Sequence, residues 1–230
     1  LGAADGVMQY LEERGIGFDV GVTKVPLVCQ SDLIDLTAGD PGARPDRAMG
    51  YEACLRAEEE NYRDGNYGAG CGATVGKFAG MDYCMKSGIG SCALQVGELQ
   101  VGAVVAVNAL GDIYDWRSGQ KLAGLLAEDR RSFRRTEDLM YADTRTVENK
   151  FTGNTTIGVV ITNADFQKAS LCKIAGMAHD GYARSIRPVH TTADGDSIYA
   201  VSVRDAEGKK VSADQDLVGT LAAEVMSEAI

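Results

Sequence analysis

Gly153, Asn154, Thr155 and Thr156 stand directly before the apolar run 157–161, so a hydroxyl residue sits at the head of a strand behind a flexible Gly-Asn pair. That order suits an internal cleavage site. If the Thr155 hydroxyl attacks the Asn154 carbonyl, the peptide bond becomes an ester, and water then opens it to leave Thr155 as a new N-terminus. The freed α-amine, with an ordinary pKa of about 7.7–8.0, can serve as general base for its own hydroxyl without help from a histidine. The same four residues also read as an ordinary polar turn before a strand. The residues alone leave both readings open.

Other side chains with chemical potential point less clearly. The chain has two histidines, His179 and His190, and neither lies in a nucleophile motif. With Asp180, Asp194 and Asp196 near in sequence, a carboxylate–imidazole metal site is one reading, but no metal-ligand spacing supports it. His190 is better read as a hydrogen-bonded structural residue. The Gly-rich stretch 65–76 ends in Lys77 and superficially resembles a phosphate loop. Cys71 stands where that loop needs glycine, and Phe78 where it needs a magnesium-binding hydroxyl. What remains is a flexible backbone presenting one lysine. Gly88-Ile-Gly90-Ser-Cys-Ala93 matches a dinucleotide fingerprint on paper, without a convincing strand before it.

The elements that must hold these residues are partly legible. The near-continuous apolar β-branched runs 101–107 and 157–161 read as buried central strands, and 197–203 as a third strand with one face half exposed. A short helix is expected over 1–14, stopped by Gly15, and an exposed one over 48–61. Between them lie a brief extended run, 25–28, and a turn-rich loop around Pro41 and Pro45. Residues 164–184 show helical spacing, and Ser212-Ala-Asp-Gln215 reads as a capping box opening a final helix to Ile230. Residues 117–149 lack periodicity and read as a long surface connection.

Composition bounds the function. The 230 residues are 45% hydrophobic and 24% charged, the usage of a folded globular chain. The 23 Lys and Arg against 33 Asp and Glu give a formal net charge of −10. That leaves no basic field for phosphates and argues against nucleic acid as a partner. No apolar run reaches the roughly 18 residues of a membrane helix and no signal sequence opens the chain, so a soluble cytoplasmic protein without a membrane partner is expected. The six cysteines lack metal or haem spacing and read as reduced fillers.

Several blocks, in order along almost the whole chain, resemble the self-cleaving S58 peptidase family. They are Gly153-Asn-Thr-Thr-Ile157, Met177-Ala-His-Asp-Gly-Tyr-Ala-Arg184, Pro188-Val-His-Thr191 and Asp194-Gly-Asp196-Ser-Ile-Tyr-Ala200, preceded by Ala3-Ala-Asp-Gly-Val7, Val25-Pro-Leu-Val28, Gly68-Ala-Gly70 with Gly76-Lys77, and Val105-Ala-Val-Asn108-Ala-Leu-Gly-Asp112. That family holds L-aminopeptidase/D-amino-acid esterases, β-peptidyl aminopeptidases and nylon-oligomer hydrolases. The resemblance implies an α+β fold in which two packed β-sheets are flanked by helices, an αββα sandwich shared with ornithine acetyltransferases. It implies a single hydrolase domain that cleaves itself between Asn154 and Thr155 into residues 1–154 and 155–230. Thr155 is then the nucleophile, Asn108 the oxyanion donor and Lys77 a cation beside the nucleophile. Asp194 and Asp196 orient the new amine, and two acids here point to the nylon-hydrolase-like subtype.

The implied activity is hydrolysis of amides of N-terminal amino acids, β-amino acids or ω-amino-acid oligomers, with no cofactor and with small peptide or amide substrates. A homo-oligomer of cleaved pairs is also implied. An acyltransferase on the same scaffold and an inactive paralogue with a binding role are the alternatives. Two departures stand out. Ile34 replaces an aromatic residue of several relatives, removing a phenol from the oxyanion site, and the abrupt start at Leu1 reads as the loss of N-terminal strands.

Overall fold

The computed structural model describes residues 2–58, 60–142, 153–204 and 208–230. These fall into two compact units, one of residues 1–32 and 39–62, the other of residues 33–38 and 63–230. The first holds helix α1 (Gly2–Glu13) packed on α2 (Arg47–Leu55), with a short antiparallel pair, β1 (Phe18–Asp19) and β2 (Lys24–Val25). Asp46 caps α2, its side chain accepting from the Met49 amide at 2.9 Å. The expected helices are therefore present, the second shorter than its pattern, and the extended run 25–28 is reduced to the end of β2.

The second unit carries the chemistry. Its strands are β3 (Thr74–Val75), β4 (Met85–Lys86), β5 (Ile89–Val96), β6 (Leu99–Asn108), β7 (Asp112–Tyr114), β8 (Lys121–Ala123), β9 (Thr155–Thr162), β10 (Ile186–Arg187) and β11 (Ser197–Ser202). Its helices are α3 (Thr136–Ala142), α4 (Lys168–Ser185) and α5 (Gln215–Ala229). A four-stranded sheet runs in the order β11-β9-β6-β5 and a three-stranded sheet in the order β10-β7-β8. The class is α+β, as expected. The apolar runs become β6 and β9, the two central strands of the four-stranded sheet. They pair antiparallel from Val101 opposite Thr162 to Asn108 opposite Thr155.

Helices α4 and α5 pack on each other, with α5 against β5 and β6 and α4 against β11. The core joins Val101 and Val105 of β6 and Val160 of β9 to Ile174, Ala178 and Tyr182 of α4 and Val218, Ala222, Val225 and Met226 of α5. No described helix is long and apolar enough to cross a membrane.

Three expectations are corrected. The cap of α5 is Asp214, which accepts from Asp216 and Leu217 at 3.0 Å each; Ser212 lies too far upstream to reach the first free amides. The stretch 117–142 contains β8 and α3, whose patterns are too short for periodicity to show, while 143–149 lie outside the described residues. The cysteines are free thiols, but none is buried: Cys29, Cys71 and Cys172 are exposed and Cys54, Cys84 and Cys92 half-buried.

Candidate active site

The antiparallel register sets Asn108, the last residue of β6, directly opposite Thr155, the first of β9, so both side chains project on one face. Thr155 is 8% exposed and its Oγ1 donates to the carbonyl of Asn154 at 2.5 Å. The same carbonyl accepts the Gly195 amide at 2.9 Å. The Asn154–Thr155 peptide therefore lies with the Thr155 hydroxyl against it and a backbone donor already on its oxygen. A methyl group at Gly195 would stand 3.0 Å from Thr155 Oγ1, which explains why the residue between two aspartates has no side chain.

Lys77 is the second buried feature. The Gly-rich stretch does not present it to solvent: the side chain is 2% exposed. Its Nζ donates to the Asn108 backbone carbonyl at 3.0 Å, to Asn108 Oδ1 at 2.9 Å and to the Gly153 carbonyl at 3.0 Å. Loss of hydration on burial lowers its pKa to about 8, with the Asp194 carboxylate pulling the other way. The Asn108 amide is pinned in the same cluster. Its Oδ1 also accepts the Thr74 amide at 3.0 Å, and its Nδ2 donates to Gly153 O at 2.9 Å and Ile34 O at 3.2 Å. Asn108 and Lys77 thus converge on the carbonyl of Gly153, one peptide before the Asn154–Thr155 bond.

Gly153 takes φ of +68°, and a Cβ there would stand 2.6 Å from Cβ of Ile34. Ile34 packs against this turn and supplies a backbone acceptor to Asn108.

The two aspartates frame the other side. The loop after β10 runs beside Asn154, which pairs in parallel with Asp194. Asp194 Oδ1 accepts the Leu110 amide at 3.2 Å, while Oδ2 accepts the Thr191 hydroxyl at 2.5 Å and the Thr191 amide at 3.1 Å. Burial raises its pKa, against the lowering effect of the Thr191 hydroxyl. Asp196 lies just ahead of β11, and its Oδ1 accepts the Thr156 amide at 2.7 Å. Every residue expected at the site is in this cluster. One participant is not visible in the sequence, the Gly195 amide, since a backbone donor has no residue signature; His190, expected as a hydrogen-bonded residue, is one, with its Nδ1 2.8 Å from Asp196 Oδ2.

The model of the family described as Peptidase family S58 matches residues 1–230. The chain belongs to peptidase family S58. It is 37% identical over 219 residues to an uncharacterized aminopeptidase of Mycobacterium leprae (strain TN), covering 90% of this chain and 58% of that protein. It is 28% identical over 240 residues to a 6-aminohexanoate-oligomer endohydrolase of Paenarthrobacter ureafaciens, covering 100% of this chain and 65% of that one. This S58 chain therefore spans somewhat under two thirds of the length of these relatives. It shares its fold with a β-aminopeptidase of Burkholderia sp., with a TM-score of 0.63 at 18% identity over 100% of this chain and 62% of the other.

Proposed function

We propose that this S58 member is a self-processing amide hydrolase in which Thr155 acts first on its own chain and then on substrate. The observation that carries the reading is the Thr155 hydroxyl lying 2.5 Å from the oxygen of the Asn154 carbonyl, with the Gly195 amide on that same oxygen. Attack of Oγ1 on the carbonyl carbon moves charge onto an oxygen that already has a donor. The tetrahedral species expels the Thr155 nitrogen, which takes up the proton that Oγ1 gives up, leaving an ester from Asn154 to Oγ1, and water hydrolyses it to the Asn154 carboxylate and a free Thr155 amine.

The second role follows from what cleavage releases. Lys77 Nζ and Asn108 Nδ2 both donate to Gly153 O before cleavage. Once the new terminus at Asn154 withdraws, that pair of donors is available to a substrate carbonyl opposite Thr155. The free amine takes the hydroxyl proton as Oγ1 attacks and returns it to the leaving nitrogen; water then releases the acyl group. Asp194 and Asp196, on the loop flanking Asn154, hold the amine in place. Each step uses groups of the chain and water.

The relatives' names, aminopeptidase and 6-aminohexanoate-oligomer endohydrolase, make amides of N-terminal amino acids or of ω-amino acids the first substrates to try, and a homo-oligomer of cleaved pairs the expected assembly. Denaturing mass spectrometry of the wild type and of Thr155→Ala tests the reading. We expect two fragments divided between Asn154 and Thr155 in the wild type and one chain in the variant. A folded wild type that stays whole on prolonged incubation overturns it.

A further inference from the structure

We propose that His190 is a positioning residue for the nucleophile: its ring fixes the Asp196 carboxylate, which in turn fixes the amide next to Thr155. This rests on the self-cleavage reading above. The Asp196 side chain is 3% exposed, too buried to be held by solvent. Its Oδ1 accepts the Thr156 amide at 2.7 Å, and its Oδ2 faces His190 Nδ1 at 2.8 Å and the His190 amide at 3.3 Å. The carboxylate is a bridge with one end on the strand that carries Thr155 and the other on the imidazole.

His190 is also held in an unusual way. Its φ is +55°, a left-handed conformation shared among the described non-glycine residues with Arg130 alone. The ring is buttressed from behind: His190 Nε2 lies 3.2 Å from His179 Nδ1, and the buried Tyr182 ring lies 5.9 Å from that of His190 and 5.4 Å from that of His179. Tyr182 is itself anchored by its hydroxyl, which donates to Ser197 O at 3.2 Å at the start of β11. The tautomers follow from the network. A carboxylate accepts only, so Nδ1 of His190 carries the proton; in the neutral ring Nε2 is then the acceptor, and His179 donates from its own Nδ1. Both histidines of the chain thus serve to aim one proton at Asp196.

Two substitutions separate the donor from the backbone conformation. Asparagine tolerates the left-handed region and its amide stands in for Nδ1–H, whereas glycine tolerates the region and supplies no donor. Cleavage at Asn154–Thr155 is followed by mass spectrometry in the wild type, His190→Asn and His190→Gly, and again with Asp196→Asn added. We expect His190→Gly to slow cleavage by about tenfold or more, as for loss of a hydrogen bond to a charged group, and His190→Asn to stay within roughly threefold of the wild type. With Asp196→Asn already present, His190→Gly should slow cleavage no further. Equal rates for the Asn and Gly variants, or a slowing by His190→Gly that persists beside Asp196→Asn, overturn the inference.

A wild type that does not cleave is recognised before any variant is compared, and it removes the self-cleavage reading and this one together. Should His190→Gly not fold, the ¹⁵N shifts of the imidazoles in the whole Thr155→Ala chain decide the matter: a proton on His190 Nδ1 supports the assignment, and one on Nε2 alone overturns it.

Discussion

Lys77 is the residue whose surroundings make the sharpest demand. A lysine 2% exposed, with three neutral oxygens around its Nζ, pays for lost hydration and keeps its proton only to about pH 8. In the donor role proposed for it only the charged amine serves fully, so hydrolysis of an amide substrate is expected to fall as pH rises through about 8. Lys77→Arg keeps its charge throughout, so whatever activity that variant retains is expected to show no such fall. Rates of amide hydrolysis across the range check both. A rate that instead rises through about pH 8 and levels off assigns Lys77 the role of a base.

Residue types in a local row were readable here: Asn154 and Thr155 are adjacent, so their chemistry needs no tertiary information. Lys77 meets Asn108 across 31 positions and Gly153 across 76, distances over which spacing carries no signal. The Gly-rich pattern marks Lys77 as a lone lysine, and only the family resemblance sets it beside Thr155. His190 joins Asp196 six positions on only because its backbone is left-handed, which nothing in the neighbouring residues announces.

At the scale of elements, legibility followed burial. β6 and β9, the central strands, read as continuous apolar runs, whereas β5, an edge strand spelled Ile-Gly-Ser-Cys-Ala-Leu-Gln-Val, mixes glycine and polar residues and has no apolar run to announce it. The last helix was found, but its start was misplaced by two residues because a capping box and a single aspartate cap look alike when Ser212 and Asp214 stand so close. The cap has a measurable consequence. Asp214 satisfies the Asp216 and Leu217 amides of a helix that delivers Val218, Ala222, Val225 and Met226 to the core. Asp214→Ala is expected to cost about 1 kcal/mol, read as a lower urea midpoint with an unchanged slope. Making the substitution in the Thr155→Ala chain keeps the comparison between two uncleaved proteins. A midpoint unmoved by Asp214→Ala but lowered by Ser212→Ala would restore the capping box.

For the whole molecule, the position of the proposed cut relative to the sheet decides whether cleavage makes an enzyme or dismantles one. The bond lies at the head of β9, so the piece ending at Asn154 keeps β5 and β6 while the piece beginning at Thr155 carries β9, β11, α4 and α5. These remain joined by the register from Val101–Thr162 to Asn108–Thr155 and by the packing of α5 on β5 and β6. Val101 and Val105 on one piece are buried against a core that includes Val160, Ile174, Val218 and Val225 on the other. At about 1.5–3 kcal/mol for each such side chain, half a dozen contribute on the order of 10 kcal/mol across the cut before any hydrogen bond is counted. Cleavage should therefore free the Thr155 amine while leaving Asn108 opposite it.

The two fragments are expected to elute together from a native sizing column in equal amounts, to stay together on dilution and to part only in denaturant. Fragments that separate under native conditions would mean that the β6–β9 ladder does not survive the cut. Thr155 would then lose Asn108 and Lys77 in the step that exposes its amine, and self-cleavage would end the site's chemistry.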